Sequence, residues 1–217
     1  MKTESSRNIM VFIKRLGNPS VFTTHELTAV SGKSASTVVQ CLNRLVKQGL
    51  LVKIYHGIWA WEGSGAKSIS QFEIVPYLFP RRRVYVSFIS ALHLHGLVEQ
   101  IPQVITLASL SHTRTIRTQA GVFSVHQIAP SIFKGFDWYK GEGSFLVAEP
   151  EKALIDSLYL SSRKKKQFGH FPELRFPPGF SFKKTRQWAG NISEKKIRFY
   201  VLQKLKTLQS EASFGQY

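Results

Sequence analysis

The chain is expected to be an α+β protein in two parts, a small helical domain closed by a hairpin followed by a mixed α/β domain. Three observations carry this. Helix-period apolar patterns crowd the first 50 residues and end at two short apolar runs around "YHG"; a polar, small-residue break, "EGSGAKS", follows at 62–68; and from residue 84 onward strand-like runs alternate with helical ones. The break divides the chain into 1–66 and 67–217. With 217 residues, 43% hydrophobic content and sixteen Phe, there is enough apolar material for packed cores in both parts.

In the first part, Ile9, Met10, Phe12, Ile13 and Leu16 keep the i, i+3, i+4, i+7 spacing of a helix with one buried face, and the stretch 17–20 breaks it. Thr23 followed by Glu26 is the capping-box spacing, in which each side chain satisfies a free amide of the other's backbone. This second helix should stop near Gly32. The third pattern, "KSASTVVQCLNRLVKQGL", divides on a wheel of about 100° per residue. Ala35, Val38, Val39, Leu42, Leu45 and Val46 fall on one side with Cys41 at its edge, and Lys33, Ser36, Gln40, Arg44 and Lys47 fall on the other. After Gly49, "LLVKI" and "IWAW" read as strands meeting at Tyr55, His56 and Gly57.

Three helices and a hairpin in this order are the order of a winged helix-turn-helix, whose third helix enters the major groove of DNA and whose hairpin lies on the backbone or minor groove. The polar side of the third helix holds no acidic residue. Its residue types donate to phosphates or read base edges. On this reading Ser36, Thr37, Gln40, Asn43 and Arg44 read bases. Lys33, Lys47 and Lys53 contact phosphates, Ser34 belongs to the same DNA-binding set, and Lys53, Tyr55 and His56 are the contacts of the wing. The other reading is a helix face kept polar for solubility. Trp59 and Trp61 share one side of their strand and are expected to pack against the helices; Cys41 is expected in the core.

In the second part, "ISQFEIVPYLF" is expected to form a short helix interrupted near Pro76, and "RRRVYVSF" a strand with a basic lead-in. "SALHLHGL" reads as a helix with Ser90 as N-cap and Gly96 as C-cap. Strands are expected at "VITLAS", "TRTIRT" and "VFSVHQI", the last two joined by "QAG". "PEKALIDSLYL" is a buried helix with Pro150 in its first turn, closed by the basic run 163–166. A Phe- and Pro-rich loop spans 168–182, and two helices follow, near "KKTRQWAG" and over "SEKKIRFYVLQKLKTL". On the buried helix Glu149, Lys152 and Asp156 share a stripe, with Lys152 and Asp156 as i, i+4 partners. They form either an ion pair fixing the helix on a sheet or a partner surface.

Lysine and arginine number 30 against 13 acidic residues, a formal charge of +17, which suits a polyanionic partner. Residues 1–66 hold eight basic and three acidic residues and 67–217 hold 22 and ten, so the basic character extends past the first domain. Arg81, Arg82 and Arg83, and Arg163, Lys164, Lys165 and Lys166, are possible phosphate or partner contacts; the second cluster equally suits the negative end of a helix dipole. No apolar run spans a bilayer and the N-terminus lacks a signal-peptide stretch, so a cytoplasmic protein without a membrane partner is expected. One cysteine excludes a disulfide framework and a cysteine-rich zinc site.

Catalytic readings are weak. His93 and His95, two apart on a helix, point about 200° from each other, and no third ligand stands out. Asp156, Glu194 and Lys196 make only a forced nuclease pattern. Gly-rich phosphate loops and GxSxG are absent from the sequence. The expectation is a non-enzyme without cofactor or metal. No long heptad run offers a dimerisation element, so the chain is taken as a monomer, or as a dimer on a repeated DNA site.

"VYVSFISALHLHGL" (84–97) and "FLVAEPEKALIDSLYL" (145–160), placed behind such a helix-and-hairpin domain, resemble the AbiEi-type antitoxins and antitoxin-like transcriptional regulators of bacterial type IV toxin-antitoxin and abortive-infection systems. The resemblance implies a repressor of its own operon that binds double-stranded operator DNA. It also implies a C-terminal domain that counters a nucleotidyltransferase-like toxin without necessarily binding it. The alternative is a basic protein- or RNA-binding module whose C-terminal domain grips a toxin or other partner directly.

Overall fold

The structure, a computed structural model, describes residues 2–17, 19–62, 70–80, 83–141, 143–163 and 173–214, with the backbone alone for 2–8 and 213–214. It is an α+β arrangement of two compact units, Met1–Pro80 with Thr118–Ala120, and Arg81–Arg117 with Gly121–Tyr217.

In the first unit the helices α1 (Lys2–Arg15), α2 (Thr24–Ser31) and α3 (Ala35–Lys47) surround one apolar cluster together with a three-stranded sheet. The sheet comprises β1 (Val21–Thr23), β2 (Leu51–Tyr55) and β3 (Ile58–Trp61) in the order β1-β3-β2, antiparallel throughout. Three residues are too few to show a strand period, and β1 forms because Val21 and Phe22 bury their side chains while pairing with β3. Ile9, Ile13, Phe22, Leu27, Val38, Leu42 and Trp59 are all buried in the cluster. The helix α4 (Gln71–Leu78) belongs to this unit and runs unbroken through Pro76, against the expected interruption. Proline removes one helical amide, and here that loss falls in the last turn, where the helix is about to end. The break read at 62–68 lies outside the described residues except for Glu62.

The second unit is built on a six-stranded mixed sheet of order β6-β7-β5-β4-β9-β8. Its strands are β4 (Val84–Val86), β5 (Val104–Ser109), β6 (Arg114–Thr118), β7 (Gly121–Gln127), β8 (Phe136–Trp138) and β9 (Leu146–Ala148). β4 runs antiparallel to β5 and parallel to β9, and β5 runs parallel to β7. The expected strands at 104–109, 114–118 and 121–127 are present; β8 and β9, three residues each, carry no legible period. The helices are α5 (Phe88–Leu94), α6 (Pro150–Ser161), α7 (Phe182–Gly190) and α8 (Lys195–Phe214), with a 3-10 turn at Pro130–Ile132.

Ser90 is not the N-cap of α5. That position is Ser87, and Ser90 lies buried inside the helix, exchanging hydrogen bonds with Thr106 on β5. Ser87 makes no side-chain cap, and its hydroxyl donates to Asp156 at 2.8 Å. The next residue, Phe88, holds φ +56 in a fully buried position, a conformation that packing must enforce on an L side chain.

Helix α6 packs against α5, α7 and α8 and is buried from Glu151 to Leu160. Lys152 and Asp156, both 0% exposed, form an ion pair. Tyr85 donates its hydroxyl to Asp156 at 3.0 Å, and Lys152 donates to the Tyr85 hydroxyl at 3.1 Å. An uncompensated charge at such depth costs several kcal/mol. Here every charged atom has partners, so the network pins α6 to β4. Burial, then the Asp156 carboxylate, push the Tyr85 phenol well above its ordinary value; burial pulls the Lys152 ammonium down, with Asp156 opposing. Glu149 stands apart from this stripe. It is the residue before Pro150, outside the helix, and with Glu151 it meets Lys184 on α7, at 3.0 and 3.5 Å.

Candidate nucleic-acid interface

The candidate face starts from the cap of α2. Thr23 Oγ1 accepts the Glu26 amide at 3.1 Å and the Thr23 amide donates to Glu26 Oε2 at 2.6 Å, so the capping box is complete. Gly32, at φ +63, ends α2 in the left-handed conformation and redirects the chain into α3 after three residues.

Helix α3 buries Val38, Cys41, Leu42 and Leu45, a stripe worth roughly 1.5–3 kcal/mol for each large aliphatic side chain. Burying that stripe fixes what remains outside. Ser36, Thr37, Gln40, Asn43 and Lys47 are exposed and Arg44 is half-exposed. Ser34 is the N-cap and takes the Thr37 amide at 3.3 Å. Its hydroxyl also lies 2.9 Å from those of Ser36 and Thr37, so three hydroxyls gather over the positive end of the α3 dipole. Lys33, read on the helical wheel as part of the polar side, instead precedes this cap and is half-exposed in the turn, because the cap displaces the helix start to Ala35.

The hairpin β2–β3 turns at His56 and Gly57, the latter at φ +72, where a side chain would be strained. Lys53 and His56 are exposed and Tyr55 is half-exposed. The Lys53 ammonium sits 5.4 Å from the Trp59 ring centroid, across the ladder from its own backbone partner, and Tyr55 and His56 meet edge to face at 5.1 Å. Trp59 is buried and donates Nε1–H to Thr24 Oγ1 at 2.9 Å, and Trp61 packs on the apolar cluster. Both tryptophans therefore serve the core. From Leu27 to Trp61 the chain has no acidic residue, so the solvent face of α3 and the hairpin carry cations and neutral groups but no carboxylate.

Of the other cationic candidates, Arg83 is exposed, and Arg163 folds back over its own helix, its guanidinium carbon 4.9 Å from the Tyr159 ring centroid and one nitrogen 2.5 Å from the Tyr159 hydroxyl. Arg81, Arg82, Lys164, Lys165 and Lys166 lie outside the described residues. His93 and His95 each engage a backbone carbonyl, of Val98 at 3.1 Å and Ala148 at 2.7 Å. Among the described residues no group of three or more His, Cys, Asp or Glu is placed to hold a metal. The nuclease pattern does not assemble: Asp156 is buried in its own network, whereas Glu194 and Lys196 are exposed at the start of α8. No described helix is long and apolar enough to cross a membrane.

Residues missed by reading the sequence are Ser87 and Tyr85, which complete the Lys152–Asp156 network from a different element. Nothing in the spacing of 85, 87, 152 and 156 signals their meeting.

Residues 14–60 match a family model described as "Transcriptional regulator, AbiEi antitoxin". The match runs from the end of α1 through α2, α3 and the hairpin, and so covers the whole candidate face. No curated protein gives a significant match to the chain.

Proposed function

We propose that the chain is a DNA-binding transcriptional repressor of its own operon and the antitoxin of a type IV toxin-antitoxin system, acting in the cytoplasm against a nucleotidyltransferase-like toxin. The observation that carries the reading is the acid-free, solvent-facing side of α3, standing beside a basic hairpin. The first unit then acts as a winged helix-turn-helix: α3 enters the major groove, and Lys53, Tyr55 and His56 lie along the backbone or minor groove. The match over 14–60 to a regulator family supports this reading.

The division of labour has a physical basis. Lys33, Lys47 and Lys53 neutralise phosphates, giving affinity that falls steeply with salt. The hydroxyls of Ser34, Ser36 and Thr37 cluster at the N-terminus of α3, and Ser36 and Thr37 are taken to meet base edges from its first turn. Gln40, Asn43 and Arg44 project from the middle and later turns of the helix, where bidentate side chains discriminate adenine and guanine. Residues 1–66 carry this DNA-binding function and 67–217 the antitoxin function, with no cofactor or metal and no catalytic step.

A titration of the gene's upstream DNA against an unrelated duplex at two salt concentrations tests the proposal. Preference for the upstream duplex that survives the higher salt is expected. Equal binding to both, vanishing with salt, contradicts it and leaves the rival, a basic protein- or RNA-binding module. A protein complex that resists salt in a chain without DNA affinity supports that rival.

A further inference from the structure

Helix α8 buries Ile197, Val201 and Leu205, and the opposite side should be uniformly polar for a helix on the surface of its unit. It is not. Phe199 is 65% exposed and Leu202 37%. At about 100° per residue these two and the exposed Lys195 and Lys206 fall within about 60° of one another, a stripe about 16 Å long with an apolar centre and a cation at each end. Isolated exposed apolar side chains are ordinary; two sharing one stripe at i, i+3 are anchor spacing for recognition.

The surroundings are charged with one sign. Residues 183–206 hold eight basic residues and one acidic. Lys184 is paired with Glu149 and Glu151, and Arg186 donates to Gln209 at 2.7 Å. Among the described residues Lys195, Lys196, Lys204 and Lys206 have no ion-pair partner.

We propose that the outer stripe of α8, Lys195–Phe199–Leu202–Lys206, is a docking site for a partner protein that presents an apolar surface rimmed by carboxylates. Charge complementarity chooses the rim, and the two anchors choose the centre. A phosphate backbone offers nothing for Leu202 to bury against, so single-stranded nucleic acid uses only the cations and the Phe199 ring. Two apolar side chains are too few for the broad apolar face of a helix that lies in a bilayer interface. The small footprint places the contact among weak, transient interfaces. This site is separate from α3, and the proposal does not depend on DNA binding.

The test uses the full chain and a fluorescein-labelled acidic helical peptide of about 20 residues with leucines at a and d and glutamates at e and g, beside a scrambled peptide of the same composition. The patterned peptide is expected to bind about tenfold tighter than the scrambled one. Phe199→Ser with Leu202→Ser should abolish that difference while leaving thermal unfolding and duplex-DNA binding unchanged. Lys206→Glu should weaken patterned binding, whereas Lys204→Glu, the same charge change on the exposed flank about 160° from the stripe, should leave it within about twofold. Equal binding of both peptides, indifference to the Phe199 and Leu202 replacements, equal effects of the two lysine reversals, or an oligothymidine that outcompetes the patterned peptide would each overturn the proposal.

Discussion

Two helices of this chain carry conspicuous polar stripes and use them in opposite ways. On α3 the stripe of Ser36, Gln40, Asn43, Arg44 and Lys47 faces water while the apolar side supplies the core. On α6 the polar residues Lys152 and Asp156 are themselves in the core, where they meet each other and the hydroxyls of Tyr85 and Ser87. The difference is one of context. A helix buried on one side leaves its polar residues free to meet a ligand, and a helix buried on all sides must satisfy them internally. A lysine is therefore left facing solvent on α3, as Lys47 is, and is held in a fastening on α6, as Lys152 is.

The largest effect should come from breaking the fastening. Asp156→Ala leaves the Lys152 ammonium buried without its counter-charge and is expected to destabilise the second unit by about 3–5 kcal/mol, measured by denaturant unfolding. Replacing both partners by apolar residues of similar volume, Lys152→Met with Asp156→Leu, should restore the part of that loss that comes from the unpaired charge, while the Tyr85 and Ser87 hydroxyls still lack their acceptor. A double variant as unstable as the single one would show that the network does more than satisfy its own charges.

On α3 and the hairpin the expected effects are on binding and leave folding intact. Lys47→Ala and Lys53→Ala should each weaken all duplexes alike and lower the slope of log affinity against log salt by about 1, with the midpoint of unfolding unchanged. Thr23→Ala removes the capping box beside this face and should cost about 1 kcal/mol of stability without changing the salt slope.

The smallest effect is spectroscopic. Tyr85 is held above its ordinary value of 10.0 by burial and by Asp156. A group raised on folding contributes stability that is complete below its unfolded pKa and is lost as pH rises above it. Unfolding titrations should therefore show stability falling above about pH 10, and Tyr85→Phe should flatten that fall. Tyrosinate absorbance from Tyr85 appearing in the folded protein at its ordinary pH would contradict the burial of the network.

The contrast also explains what could be read from the sequence. Helices with one apolar stripe and a cap, such as α2 with Thr23, Glu26 and Gly32, are legible because the signal is local. So are strands of five to seven residues such as β5 and β7. The three-residue strands β1, β8 and β9 are not, since their pairing is decided by distant partners. Ser90 reads as a cap because serine before an apolar run usually is one, and the partners that occupy Ser87 and Ser90 instead, Asp156 and Thr106, lie 69 and 16 residues away, beyond any local signal. The exposed residues of α3 were legible because burying Val38, Leu42 and Leu45 fixes the opposite side by periodicity alone; Lys33 fell outside because a cap, a local detail finer than periodicity, sets where the helix begins.

The central claim is that the solvent face of α3 reads bases. The most direct test is a base-by-base substitution scan of the bound upstream duplex with the wild-type chain and with Arg44→Ala. The variant is expected to lose roughly 1–3 kcal/mol of affinity and to become indifferent to one base position while keeping discrimination at the others. An Arg44→Ala chain that binds every duplex as the wild type does would contradict the assignment of α3 as the reading helix.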